Sequence, residues 1–73
     1  MRYAIVIERG PRNFSAFVPD LPGCIATGDT LDEVKELMRQ AIEIHVAGLR
    51  EDGLAIDEPT SLCEYVEVEL SST

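Results

Sequence analysis

The stretch Phe14 to Glu58 reads FSAFVPDLPGCIATGDTLDEVKELMRQAIEIHVAGLREDGLAIDE, and its punctuation decides the fold. Phe14, Ala16 and Val18 fall on one side of an extended chain and Ser15 and Phe17 on the other, the period of a strand. Pro19 has no N–H to donate and ends that strand's ladder. Pro22-Gly23 turns the chain, and Cys24 to Thr27 is long enough for another short strand. Thr30 is a good N-cap, with Glu33 at the capping-box spacing. Asp32 and Glu33 put negative charge at the positive end of the helix dipole. Leu31, Val34, Met38, Ala41, Ile42, His45 and Leu49 then form one stripe at helical spacing, with Asp32, Glu36, Arg39, Glu43 and Arg50 opposite. The helix is expected from Leu31 to about Asp52, stopped by Gly53 in the left-handed conformation.

Working outward, Arg2 to Glu8 (RYAIVIE) is a nearly continuous apolar run. Tyr3, Ile5 and Ile7 point one way, Ala4 and Val6 the other, and a strand apolar on both faces sits centrally in a sheet. Arg9-Gly10-Pro11-Arg12-Asn13 is turn chemistry that joins it to Phe14–Val18 as a hairpin. Downstream, Leu54 to Leu62 is a connection stiffened at Pro59. In Cys63 to Leu70, Val66, Val68 and Leu70 alternate with Tyr65, Glu67 and Glu69, the pattern of a half-buried strand. Ser71-Ser72-Thr73 reads as a frayed end. No repeat, low-complexity tract or linker divides residues 1–73, so one domain is expected.

The order is β-β-β-α-β, an α+β chain. Three strands can make an antiparallel meander, and a helical crossover returns the last strand parallel to the first. Placing it beside the first gives a four-stranded mixed sheet of order 3-2-1-4 with one long helix on one face. A single helix leaves the other face bare. Val6, Phe17 and Tyr65 are the expected oligomer interface there, because wet apolar surface costs about 25 cal/mol per Å². A homodimer is the first expectation for so small a chain.

Fourteen acidic residues against six basic ones give a formal charge of −8. That argues against direct nucleic-acid binding, which needs Lys and Arg on phosphates. It suits either solubility or docking on a basic surface, where attraction speeds encounter. No apolar run is long enough for a membrane span or a signal peptide. With only Cys24 and Cys63, too far apart for a Cys-x-x-Cys motif, the expectation is a cytoplasmic protein with free thiols acting as small apolar core residues.

The segment Val18-Pro19-Asp20-Leu21-Pro22-Gly23-Cys24, followed by Gly28-Asp29-Thr30-Leu31-Asp32-Glu33, resembles the signature of HicB-like antitoxin domains. The resemblance runs from the Tyr3 strand to the Pro59-Thr60 turn. It implies a truncated RNase H-like fold. It also implies an antitoxin that binds a small basic HicA-like toxin and shields the surface with which that toxin cleaves messenger RNA. Glu36, Glu43 and Asp32 on the polar helix face are the candidate partner contacts, though an acidic helix face is most often simply solvated. Full-length HicB antitoxins usually carry a C-terminal DNA-binding segment, and only Ser71-Ser72-Thr73 follow the expected last strand here. The family's turn after the helix tends to be proline-rich, whereas Asp57 and Glu58 here precede the single Pro59.

No catalytic, cofactor or metal site is expected, and the chain is read as a binding module and not an enzyme. An RNase H-related nuclease is the enzymatic alternative, with a small-molecule-binding domain beside it. Such a nuclease needs carboxylates converging on two metal ions, one of them within the first strand, and that strand offers only Glu8 at its end. Glu67 and Glu69 share a face of the last strand without further partners. The single histidine, His45, reads as a core or interface imidazole and not as a base or ligand. Gly28-Asp29-Thr30 lacks the glycines and lysine of a phosphate loop, and the acids after it repel anions, so it reads as a helix cap.

Overall fold

A computed structural model of the chain describes residues 1–71. The element order is β1 (Val6–Arg9), β2 (Phe14–Phe17), β3 (Ile25–Gly28) and α1 (Leu31–Glu51). The three strands form one antiparallel sheet of order β1-β2-β3. Val6 pairs with Phe17 and Ile7 with Ala16, and Phe17 in turn pairs with Ile25. That register puts Ala16 on the helix side and Val6, Phe17 and Ile25 in one row across the opposite face.

The helix begins and ends as its sequence dictates. The Thr30 side chain accepts a hydrogen bond from the Glu33 N–H at 3.0 Å, while the Glu33 carboxylate accepts from the amide of Asp29, one residue earlier than the standard box. At the other end Gly53 has φ +69°. The Leu54 N–H bonds to the Leu49 carbonyl and that of Gly53 to the Arg50 carbonyl, which together make a Schellman stop.

The core is small: Ala16, Val18, Leu21, Cys24, Val34 and Met38 are buried, with Tyr3, Ile5, Ile7, Phe14, Ala26, Ala41, Ile42 and Val46 packed around them. Two features of the quoted stretch close it. The Val18–Cys24 segment is a compact turn in which the Val18 N–H donates to the Cys24 carbonyl, that of Leu21 to the Val18 carbonyl and that of Cys24 to the Leu21 carbonyl, and Leu21 is 1% exposed. Gly28 faces the first turn of α1 so closely that a Cβ would lie 2.8 Å from the Val34 nitrogen. The sheet and helix can approach only because that position has no side chain.

The expected four-stranded sheet of order 3-2-1-4, and with it the truncated RNase H-like arrangement, does not form. The sheet has three strands and β1 stands at its edge. Cys63–Leu70 carries no strand, and its Tyr65, Val66, Val68 and Leu70 are all more than 70% exposed. The segment starts beside β1, where the Cys63 thiol donates to the Ile5 carbonyl at 3.5 Å. No backbone ladder follows that contact. Alternation of side chains states that a segment suits a half-buried edge, but it does not name the edge. The extended segment leaves the molecule 57 Å long, with a radius of gyration of 15.1 Å, against about 11 Å for a compact chain of this length. Two smaller expectations also shift. β1 starts at Val6 and not at Arg2, and Cys63 is exposed while Cys24 is buried. The frayed end expected at Ser71-Ser72-Thr73 lies, beyond Ser71, outside the described residues.

Candidate partner-binding site

At about 1.5 Å per residue the helix is some 31 Å long, more than twice the length of a four-residue strand. Its fully buried residues, Val34 and Met38, lie in its first half, and Ile42 and Val46 beyond them pack half-buried against the core. The face turned to solvent carries Asp32, Glu36, Arg39 and Glu43, spaced three and four apart, so these side chains stand in one row. Arg39 sits between the two glutamates. Its Nε donates to Glu36 Oε2 at 3.0 Å, and its two terminal nitrogens reach Glu36 and Glu43. Gln40 adds a longer contact to Glu36. The hydrogen bond from Arg39 holds the Glu36 carboxyl down to about 2, and the two glutamates hold the Arg39 guanidinium above its usual range. The group is a solvated, preoriented carboxylate–guanidinium–carboxylate row with one net negative charge. Asp32 lies at its N-terminal end, exposed and outside the cluster.

A second surface is the bare sheet face. The row Val6–Phe17–Ile25 crosses all three strands, with Phe17 39% and Ile25 68% exposed. Tyr65, expected beside Val6 and Phe17, stands instead fully in solvent on the irregular C-terminal segment. Ile25 belongs to this surface through its pairing with Phe17, and the sequence pattern, which predicts the strand at Cys24–Thr27 against the observed Ile25–Gly28, assigns its residues to no face.

A third feature had no sequence signal. The carboxylate of half-buried Asp20, in the Pro19–Gly23 turn, accepts four hydrogen bonds: from the amides of Thr60 and Ser61 at 3.0 and 2.9 Å, and from their hydroxyls at 3.1 and 2.9 Å. The amide of Ser61 contributes most to holding this carboxyl below its ordinary value. Nearby, the Tyr3 hydroxyl donates to the Asp57 carbonyl at 2.7 Å. Desolvation, then the neighbouring Glu58, Asp57 and Asp20, pushes that phenol up. Together these contacts tie the connection after the helix to the start of the chain and to the Pro/Gly turn.

His45 is half-buried within the apolar helix stripe. Among the described residues no three His, Cys, Asp or Glu side chains converge closely enough to hold a metal ion. No helix there is long and apolar enough to cross a membrane.

A capped single helix packed on a short meander, behind a Pro/Gly turn, is the frame on which these surfaces sit. The family model of the HicB-like antitoxin of bacterial toxin–antitoxin systems matches residues 3–70, and the chain belongs to that family. It is similar to an uncharacterized 14.9 kDa protein from the rep–hol intergenic region of Haemophilus phage HP1, at 35% identity over 90% of this chain and 50% of the phage protein. It is also similar to a UPF0150 protein of Helicobacter pylori, at 33% identity over 86% of this chain and 89% of that one. A UPF0150 protein of Archaeoglobus fulgidus is 40% identical over 63% of this chain and 68% of its own length. The chain thus spans half the length of the phage relative.

Proposed function

We propose that this chain neutralises a small basic toxin of the HicA-like, messenger-RNA-cleaving kind by binding it, without chemistry of its own and in the cytoplasm. The observation that carries the reading is the family match over residues 3–70 in a chain of charge −8. An antitoxin acts by occupying its toxin, and an acidic domain meets a basic RNA-binding surface with favourable steering. Asp32, Glu36 and Glu43 are the proposed contacts on the helix. Arg39 supports that assignment, because it fixes both glutamates in advance and lowers the side-chain entropy lost on docking. It also weakens it in magnitude, because one of the two charges is already offset. The bare row Val6–Phe17–Ile25 is the proposed site of self-association, with Tyr65 joining it from the C-terminal segment. The experiment is a titration of a purified HicA-like toxin from the same genome, followed by RNA cleavage. Loss of cleavage at stoichiometric antitoxin is the expected result, and undiminished cleavage at excess antitoxin overturns the proposal.

A further inference from the structure

The segment Leu62–Leu70 is built to pair and does not pair within its own chain. Its Val66, Val68 and Leu70 share one side of an extended backbone, and Tyr65, Glu67 and Glu69 the other. All the large apolar groups among them are exposed, Leu62 at 89% and Leu70 at 87%. Glu64, Glu67 and Glu69 make no ion pair among the described residues, where the ion pairs are those of Arg39.

The unmatched counterpart lies at the other end of the chain. β1 is an open edge, and an unprotected edge is a template for another strand. Ile5 just before it and Ile7 within it are half-buried, and Ile5, Ile7, Phe14 and Leu31, with Tyr65 of the same chain at the margin, line an open groove of about 420 Å³ along it. The first thirteen residues hold three of the six basic residues, Arg2, Arg9 and Arg12, against Glu8 alone. None of the three arginines makes an ion pair among the described residues, and Arg9 lies over the Phe14 ring at 5.5 Å. One chain therefore carries an acidic amphipathic strand former and, separately, a basic open edge.

Within the chain the segment meets this edge only at its start, where the Cys63 thiol donates to the Ile5 carbonyl. The Asp20 buckle on Thr60 and Ser61 fixes where the segment leaves the body, and beyond Cys63 it runs without a ladder. A second copy has no such tether to the first and can approach in register. We propose that Leu62–Leu70 of one copy adds as a strand to the β1 edge of a second copy, and reciprocally. The exchange sets Glu67 and Glu69 near the partner's arginines and puts Val66, Val68 and Leu70 under cover. Reciprocal exchange of one element is a low-cost route to a closed dimer. The proposal does not depend on toxin binding, and its test uses no toxin.

The test is amide hydrogen exchange on the full chain at low micromolar and at millimolar protein, alongside sedimentation. Protection of the Val66–Leu70 and Ala4–Ile7 amides that appears only at the higher concentration, together with a dimer, is the expected result. The double variant Val66→Ser/Val68→Ser keeps the helical circular dichroism, because both sites are exposed. It raises the dimer dissociation constant by about tenfold or more, the effect of losing a modest part of the interface. Glu67→Lys/Glu69→Lys weakens the dimer in the same way, and combining it with Arg2→Glu/Arg9→Glu restores it. Protection equal at both concentrations means the segment pairs within its own chain and overturns the proposal. So does a dimer whose Val66–Leu70 amides stay open, and so does a monomer at millimolar concentration.

Discussion

Three positions carry contacts that no neighbour can replace. Gly28 sits where any Cβ would press on the Val34 backbone. Gly28→Ala forces sheet and helix apart and is expected to cost about 1–3 kcal/mol, as overpacking does. A denaturant midpoint equal to that of the parent would show that the helix can slide away freely. Thr30 caps the only helix among the described residues, and Thr30→Ala is expected to cost roughly 0.5–2 kcal/mol in the same measurement. Asp20 holds Thr60 and Ser61, and its carboxyl lies below the ordinary 3.8. A carboxyl whose folded value is depressed stabilises fully above its unfolded value, and that contribution fades as pH falls through the folded one. Carbon-detected titration should place the Asp20 midpoint below 3.8, with the Thr60 and Ser61 amides losing protection in the same pH range. A midpoint at or above the ordinary value would mean the four hydrogen bonds do not persist in solution.

Local signals in the elements translated well into local structure. Thr30, Glu33 and Gly53 mark the helix ends because capping depends on residues a few positions apart. The alternation Phe14, Ala16, Val18 marks the inward face of β2 for the same reason. Arg39 between Glu36 and Glu43 is likewise readable from helical spacing. Signals that depend on distant partners were not readable. Leu21 is buried by the fold of its own turn, and nothing in Pro19–Gly23 announces a core residue. Asp20 meets Thr60 and Ser61 across forty positions, and an aspartate in a turn reads simply as turn chemistry. The same distinction accounts for the missing fourth strand. Val66, Val68 and Leu70 alternate as a strand should, but alternation does not name the edge a strand joins, and beyond the Cys63–Ile5 contact the segment forms no ladder with β1. Of the candidate site, the acidic row was legible and the bare Val6–Phe17–Ile25 row partly so. Ile25 joins that row through its pairing with Phe17, and the sequence pattern assigns no faces to the third strand.

The whole molecule is a small core with two charged ends, extended well beyond the size of a compact chain. Its surfaces outweigh its interior, which fits a module whose business is contact. If the helix row is part of that contact, Glu36→Gln/Glu43→Gln with Asp32→Asn should leave the melting midpoint within about 0.5 kcal/mol of the parent, as exposed substitutions usually do. It should slow association with a basic toxin and flatten its salt dependence. Equal on-rates and equal salt slopes would remove these three residues from the interface and leave the rest of the account standing. The central claim is that this HicB-like chain silences a toxin by binding. The most direct measurement is the rate of messenger-RNA cleavage by the HicA-like toxin of the same genome, read against increasing amounts of the full chain. The account predicts that cleavage falls to background as the two proteins reach equal amounts, with a complex recovered by size exclusion. Cleavage that continues unchanged in excess of this chain, with the two proteins eluting separately, would contradict it.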